Sequence, residues 1–242
     1  MPKVAKPETK IPPKRQAVFA GYDGGWDLRE VDSTFLVAEL CRRGECPKLQ
    51  PAKPVKPAKK PSLFGQGGIM ASHYSLFVEK WKSCTACELH KDRQNVVLAR
   101  GKIPCDVLFV GEAPGQSEDC LSAPFVGPAG QLLDKIVERA IASDVRVAFT
   151  NLVCCIPLDD DGVKVSEPPD EAIEACSIRL QEFVEIANPR LIVCVGKLAK
   201  DWLDPGWKHS IRFQAKIPLV DILHPAAILR MNVAQQGLAI QR

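Results

Sequence analysis

The chain has 242 residues, 46% apolar and 25% charged, with a net charge of +3. That is enough for one sizeable core plus an appendage. No apolar run approaches the roughly 18 residues of a membrane span, and the N-terminal MPKVAKPETKIPPKRQ lacks the apolar stretch of a secretion signal, so a cytosolic protein without membrane contact is expected. Ten cysteines in such a compartment argue against a disulfide framework and for metal or cluster ligation.

The charge is unevenly placed. Residues 1–70 hold 13 Lys and Arg against 7 Asp and Glu, and residues 71–242 hold 19 against 22. The basic excess therefore belongs to an N-terminal extension, residues 1–71. Its first 16 residues are Lys- and Pro-rich and predict disorder. Residues 17–46 are compatible with a small hairpin-and-helix element, and 47–61 (PKLQPAKPVKPAKKP) read as an extended, self-repelling linker. Such an arm is either a solvated tail or a source of weak, salt-sensitive attraction to nucleic acid. Cys41 and Cys46 within it read as two unligated thiols, with metal binding alongside further ligands as the alternative.

The compact domain, 72–242, starts near Ser72 with SHYSLFVEKWKSC, apolar at helical spacing. CDVLFVG follows as a short buried strand ending in glycine, AGQLLDKIVERAIA as an amphipathic helix, and VRVAFTNLV as a second strand. PPDEAIEACSIRLQEFVEIA is a helix with Pro and acids at its start. PRLIVCVG is a third strand, KLAKDWL a short helix, and KIPLVDILHP a fourth strand stopped by Pro225. Alternating strands and helices predict an α/β fold: a three-layer αβα sandwich around a four-stranded, mostly parallel sheet. Ligands bind such sheets beyond the carboxyl ends of the strands. GEAPG, TN and HP all stand there.

The loop GEAPGQSEDCLSAPFVG, residues 111–127, combines glycines with Glu112, Glu118 and Asp119. Gly111 and Gly115 allow close backbone approach, as in phosphate cradles. The acids oppose that use, and neither G-K-[ST] nor G-x-G-x-x-G accompanies the loop. Cys84 and Cys87 form C-T-A-C, a two-point chelate used by zinc, redox pairs and iron–sulfur clusters alike. Cys154 or Cys155, with Cys176, could complete a four-thiolate site, which fits zinc and [4Fe–4S] equally. Cys105, Cys120 and Cys194 read as small core residues.

Taken in order, CTACELHKDRQNVVLARG, VLFVGEAPGQSEDCLSAPFVGPAGQLLDKI, TNLVCCIP, LIVCVG and LHPAAILR resemble the family 4 uracil-DNA glycosylases. These are the iron–sulfur branch of their superfamily. The resemblance runs from about Cys84 to Arg230 and leaves residues 1–70 uncovered. It implies a [4Fe–4S] cluster on Cys84, Cys87, Cys155 and Cys176, with zinc as the alternative occupant. Where the family reads T-N-V-V-K-C-R-P, this chain puts Cys154 in place of Lys and Ile156 in place of Arg, which removes two basic residues near the cluster; filled core positions are the simple account.

The resemblance also implies a DNA repair enzyme, a monomer that flips uracil out of single- or double-stranded DNA and hydrolyses its N-glycosidic bond. It would be cytoplasmic or nucleoid-associated, with replication or repair proteins as partners of the extension. Phe125 would stack on the base, and Asn151 would pair with its edge. Otherwise Phe125 is core and Asn151 an Asx turn or cap. His224 would donate to the charge developing on uracil O2; a histidine before proline is otherwise a surface or capping residue. Glu112 would stabilise the sugar cation or hold the attacking water. Other branches place an Asp general base one position later, and here that residue is Ala113. Gly111, Ala113, Pro114 and Gly115 would line the pocket. Glu118 would exclude the thymine methyl; its plain reading is a helix-capping acid.

Leu229, Arg230 and Met231 would contact DNA, by intercalation and phosphate binding; AAIL is otherwise the apolar face of a helix. No lysine stands in the matched pocket motifs to form a Schiff base. The interval 156–175 is acidic and holds no histidine, unlike a branch that traps DNA through one. A catalytically degenerate DNA-binding module is the alternative reading, which retention of Glu112, Phe125, Asn151 and His224 opposes.

Overall fold

The computed structural model describes residues 67–231, apart from 160 and 208. The element at 17–46, the linker 47–61 and Cys41 and Cys46 lie outside the described residues. Among the described residues eleven α-helices and β-strands follow in chain order, with one 3-10 turn at Glu88–His90: α1 (Gly67–Trp81), β1 (Arg100–Gly101), β2 (Val107–Gly111), α2 (Gln116–Leu121), α3 (Pro128–Ala140), β3 (Val147–Asn151), α4 (Asp170–Ala187), β4 (Leu191–Val195), α5 (Lys197–Leu203), β5 (Leu219–Ile222) and α6 (Pro225–Arg230).

The sheet has the order β1-β3-β2-β4-β5. The central strands β3, β2, β4 and β5 run parallel, as their apolar, helix-separated sequences predict. A fifth strand corrects the expected four: Arg100–Gly101 pairs antiparallel with β3 at the edge. Two residues of Arg-Gly carry no strand periodicity, so this element has no signal in the sequence.

Alternation along each central strand sends side chains to two cores. Leu108, Val110, Ala148, Ile192 and Cys194 pack in the larger one, with Phe77 of α1, Ile173, Leu180 and Phe183 of α4, and Trp202 of α5. Phe109, Phe149, Val193 and Val195 face the other way, with Leu133 of α3 and Phe125. This is the three-layer arrangement. At full burial each of these large side chains contributes about 1.5–3 kcal/mol.

Cys105 and Cys194 are buried core thiols, as expected. Cys120 departs from that expectation: it is half-buried. α2, within the loop after β2, is a second element that the sequence reading passed over. No helix among the described residues is long and apolar enough to cross a membrane.

Candidate active site

Gly111 ends β2 and lies in register with Asn151, the last residue of β3. A Cβ on Gly111 would stand 2.5 Å from Asn151 Oδ1 and 2.5 Å from Phe125 Cζ. Three of the candidate residues therefore converge on one strand end. Asn151 is only 2% exposed, and no described residue hydrogen-bonds its carboxamide. Neither an Asx turn nor a cap engages it.

Phe125 is 7% exposed and lies tilted against Phe149, with ring centroids 5.9 Å apart. It belongs to the smaller core, yet its edge reaches the strand end. Its φ of +56° is left-handed, which costs an L-residue about 1–2 kcal/mol. Neighbours hold it there. Arg100 Nε donates to Pro124 O (2.6 Å), and Arg100 Nη2 donates to Phe125 O (3.1 Å) and to Asp134 (2.6 Å). The guanidinium also stacks on Phe149, 3.9 Å from the ring centroid. Gly130 lies so close that a Cβ there would sit 1.9 Å from Phe125 O.

The three acids of the loop separate into three environments. The half-buried Glu112 has no hydrogen-bonding partner for its carboxylate among the described residues. Burial, with the charge of Glu167, raises its pKa above the ordinary range. Glu118 accepts from the backbone N–H groups of Gly115 (3.1 Å), Val126 (3.0 Å) and Gly127 (2.8 Å). It thereby ties the GEAPG turn to PFVG. Asp119 is buried and accepts from the Gln94 and Asn95 amides. Pro114 is buried, and Ala113 packs against the larger core.

His224 caps α6 and accepts from Ala226 N–H at Nδ1 (3.2 Å). That bond requires an unprotonated Nδ1 and places the ring proton on Nε2. Burial, and then the charge of Arg230, lower its pKa, so it is neutral at neutral pH. Behind it, Gly196 at the end of β4 has φ +95°, and a Cβ there would lie 3.2 Å from His224 Cβ. On α6, Ile228 points into the protein while Leu229 is 40% exposed and Arg230 is exposed. The helix thus offers an apolar side chain and a cation outward. Met231 closes its C-terminus.

Cys84, Cys87, Cys155 and Cys176 line one small cavity that opens to solvent. Cys154 lines it too. Arg93 Nη1 donates to Cys155 Sγ (3.1 Å) and Arg179 Nη2 to Cys176 Sγ (3.6 Å). Cys154 and Ile156 are buried core residues, so Arg93 and Arg179 bring cationic groups to this cavity from other segments. Arg179 is 1% exposed, has no carboxylate partner among the described residues, and its Nε is unpartnered. A buried cation without a counter-charge is costly. Four deprotonated thiols around a cationic centre would form a group of net negative charge and supply it, so the donor set fits an all-thiolate group. Among the described residues no three donors converge on a single ion.

The sequence analysis missed Arg179 and Arg100. For Arg179 a signal existed: it stands three residues after Cys176, on the same face of a helix.

The carboxyl ends of the parallel strands thus bring together Gly111, the Phe125 ring and the Asn151 carboxamide, and carry the neutral His224 imidazole after β5. The family model for the uracil DNA glycosylase superfamily matches residues 98–239. The chain is 35% identical over 160 residues to a type-4 uracil-DNA glycosylase of Thermotoga maritima, covering 63% of this chain and 81% of that protein. To those of Archaeoglobus fulgidus and Pyrobaculum aerophilum it is 32% identical over 166 residues and 36% over 163, with 81% of each covered. The chain belongs to the uracil-DNA glycosylase superfamily, on its type-4 branch.

Proposed function

We propose that this protein is a monofunctional DNA glycosylase that removes uracil from DNA by base flipping and hydrolysis of the N-glycosidic bond, the first step of base excision repair. The observation that carries the reading is the convergence of Gly111, Phe125 and the uncommitted Asn151 carboxamide at one strand end. A base inside a duplex is out of reach, so the nucleotide must leave the stack. Phe125 then offers a ring face, and Asn151 offers one donor and one acceptor to the uracil edge.

The N1–C1′ bond breaks with its electron pair leaving on uracil. His224 donates through Nε2–H to O2, where the charge develops. One such donor is worth roughly 10²–10³ in rate. Glu112, ionised, faces the cationic sugar and holds the water whose oxygen adds at C1′; the water's proton passes to the departing base or to solvent. Glu118 acts by fixing the PFVG turn that carries Phe125 and closes the side of the pocket where a thymine methyl would enter. Leu229 fills the gap left in the duplex, and Arg230 reaches phosphate.

Cys84, Cys87, Cys155 and Cys176 would hold a [4Fe–4S] cluster. When bound, such a cluster supplies covalent tethers joining the segment after α1, the segment after β3 and α4.

Product analysis tests the proposal. Cluster-loaded protein should release free uracil from a labelled oligonucleotide and leave an alkali-labile abasic site with the strand uncut. Borohydride should trap no covalent adduct, and a thymine control should stay intact. No release from single- or double-stranded uracil DNA would leave a binding module.

A further inference from the structure

Arg179 is the largest fully buried side chain of the described residues, and its contacts join two sites. Nη1 donates to Thr150 Oγ1 (3.0 Å). Nη2 donates to the carbonyls of Asn151 (2.7 Å) and Leu152 (2.8 Å), and to Cys176 Sγ (3.6 Å). Thr150 Oγ1 donates in turn to Leu98 O (2.7 Å). One guanidinium therefore holds the backbone of the residue whose carboxamide lies against Gly111 and Phe125, and it touches a thiol of the four-cysteine cavity.

The pattern is more than packing requires. A buried cation would ordinarily be paired with a carboxylate, and none among the described residues meets it. Its hydrogen-bonding partners are carbonyls, a hydroxyl and a thiol. The negative charge that balances it must come from the cysteines. The fork geometry of arginine lets it bind carbonyls and sulfur together, which an ammonium group does not reproduce.

We propose that Arg179 is a positioning residue that couples the thiolate cluster to uracil recognition: it takes the cluster's negative charge as its counter-charge and holds the Asn151 backbone, and so the carboxamide, in the orientation that reads the base. This rests on the reading of Asn151 as the uracil-pairing amide and of the four cysteines as cluster ligands.

The test compares cluster-loaded wild type with Arg179→Lys and Arg179→Met. Two quantities are read: the reduction potential of the cluster, and the affinity for an oligonucleotide carrying one uncleavable 2′-fluoro-2′-deoxyuridine, relative to the same oligonucleotide with thymine. Arg179→Met should shift the potential to a more negative value, because a nearby positive charge favours the reduced, more negative cluster. Arg179→Lys should keep the potential near wild type but lose roughly tenfold of the uracil preference, the size of one hydrogen bond, with thymine-DNA affinity unchanged. If Arg179→Met does not load its cluster, the preference of Arg179→Lys decides alone. Wild-type preference retained in the Lys variant, or a potential unmoved in a loaded Met variant, overturns the proposal. A wild type without uracil preference would instead overturn the proposed function.

Discussion

Gly111 and Asn151 sit side by side on parallel strands with no room for a methyl group between them: a Cβ on Gly111 would fall 2.5 Å from Asn151 Oδ1. The same Cβ would strike Phe125 Cζ at 2.5 Å. Gly111→Ala must therefore move the amide, the ring or both. Overpacking of this kind costs about 1–3 kcal/mol of stability, yet a 1 Å misplacement can cost on the order of 10²-fold in rate. Single-turnover excision beside thermal melting should show the activity lost far out of proportion to the stability. Near wild-type excision by a folded Gly111→Ala protein would place the substrate elsewhere.

Arg100 holds Phe125 in a backbone conformation that an aromatic residue rarely adopts. Arg100→Met should release the Pro124 and Phe125 carbonyls and free Asp134. Hydrogen bonds to charged groups contribute about 1.5–3 kcal/mol, so urea unfolding should show a loss of about that size. Excision should weaken in parallel. Phe125→Ala should leave the loop clamps in place and lose base binding. Equal KM in wild type and Phe125→Ala would remove the stacking role.

The pH dependence follows from two groups moved in opposite directions. The folded-state pKa of Glu112 is raised, by burial first and Glu167 second. Ionised Glu112 therefore costs folding stability above its folded pKa, and that cost vanishes as pH falls below the unfolded value. Glu112→Gln should be as stable as wild type or more so at pH 7, with the gain shrinking on acidification, and much less active. The pKa of His224 is lowered, so its neutral Nε2–H form persists through neutral and alkaline pH. The single-turnover rate should fall at acid pH, and no alkaline loss should trace to His224. An alkaline limb abolished by His224→Gln would mean an imidazolium donor instead.

Five thiols line the cavity, and they are not equivalent. Burial drives the Cys154 pKa well up, whereas Cys176 is held well down, by the hydrogen bond from Cys154 first, with Arg179 also lowering it. Iron and sulfide analysis of anaerobically purified protein should show full content in Cys154→Ala and loss in Cys155→Ala. Chelation should lower the melting temperature of wild type more than that of Cys155→Ala. Zinc in place of iron, or loss of iron with Cys154→Ala, would reassign the ligands.

The parallel strands were legible because each is a short apolar run ending in Gly, Asn or a His-Pro pair, and those endings are also the site. β1 was not, since Arg100 and Gly101 owe their strand state to the β3 edge rather than to their own pattern. Glu118 shows the limit of a motif. Its position suggests substrate contact, but its carboxylate accepts from the Gly115 N–H three residues back, the helix-capping contact its plain reading expects, and from the Val126 and Gly127 N–H groups, which no motif spacing encodes. Arg179 shares a helix face with Cys176, which was a signal in the sequence, but arginine in an amphipathic helix ordinarily faces water; its burial and its bonds to the end of β3 come from the packing of α4.

The central claim is that the Asn151 carboxamide and the His224 Nε2–H act on uracil. Its most direct test is the single-turnover rate of uracil release by cluster-loaded wild type, Asn151→Ala and His224→Ala, with cluster content and melting temperature measured alongside. Each variant should keep its cluster and fold and lose roughly 10²–10³ in rate, with thymine untouched throughout. Full-rate release by either folded variant would contradict the account.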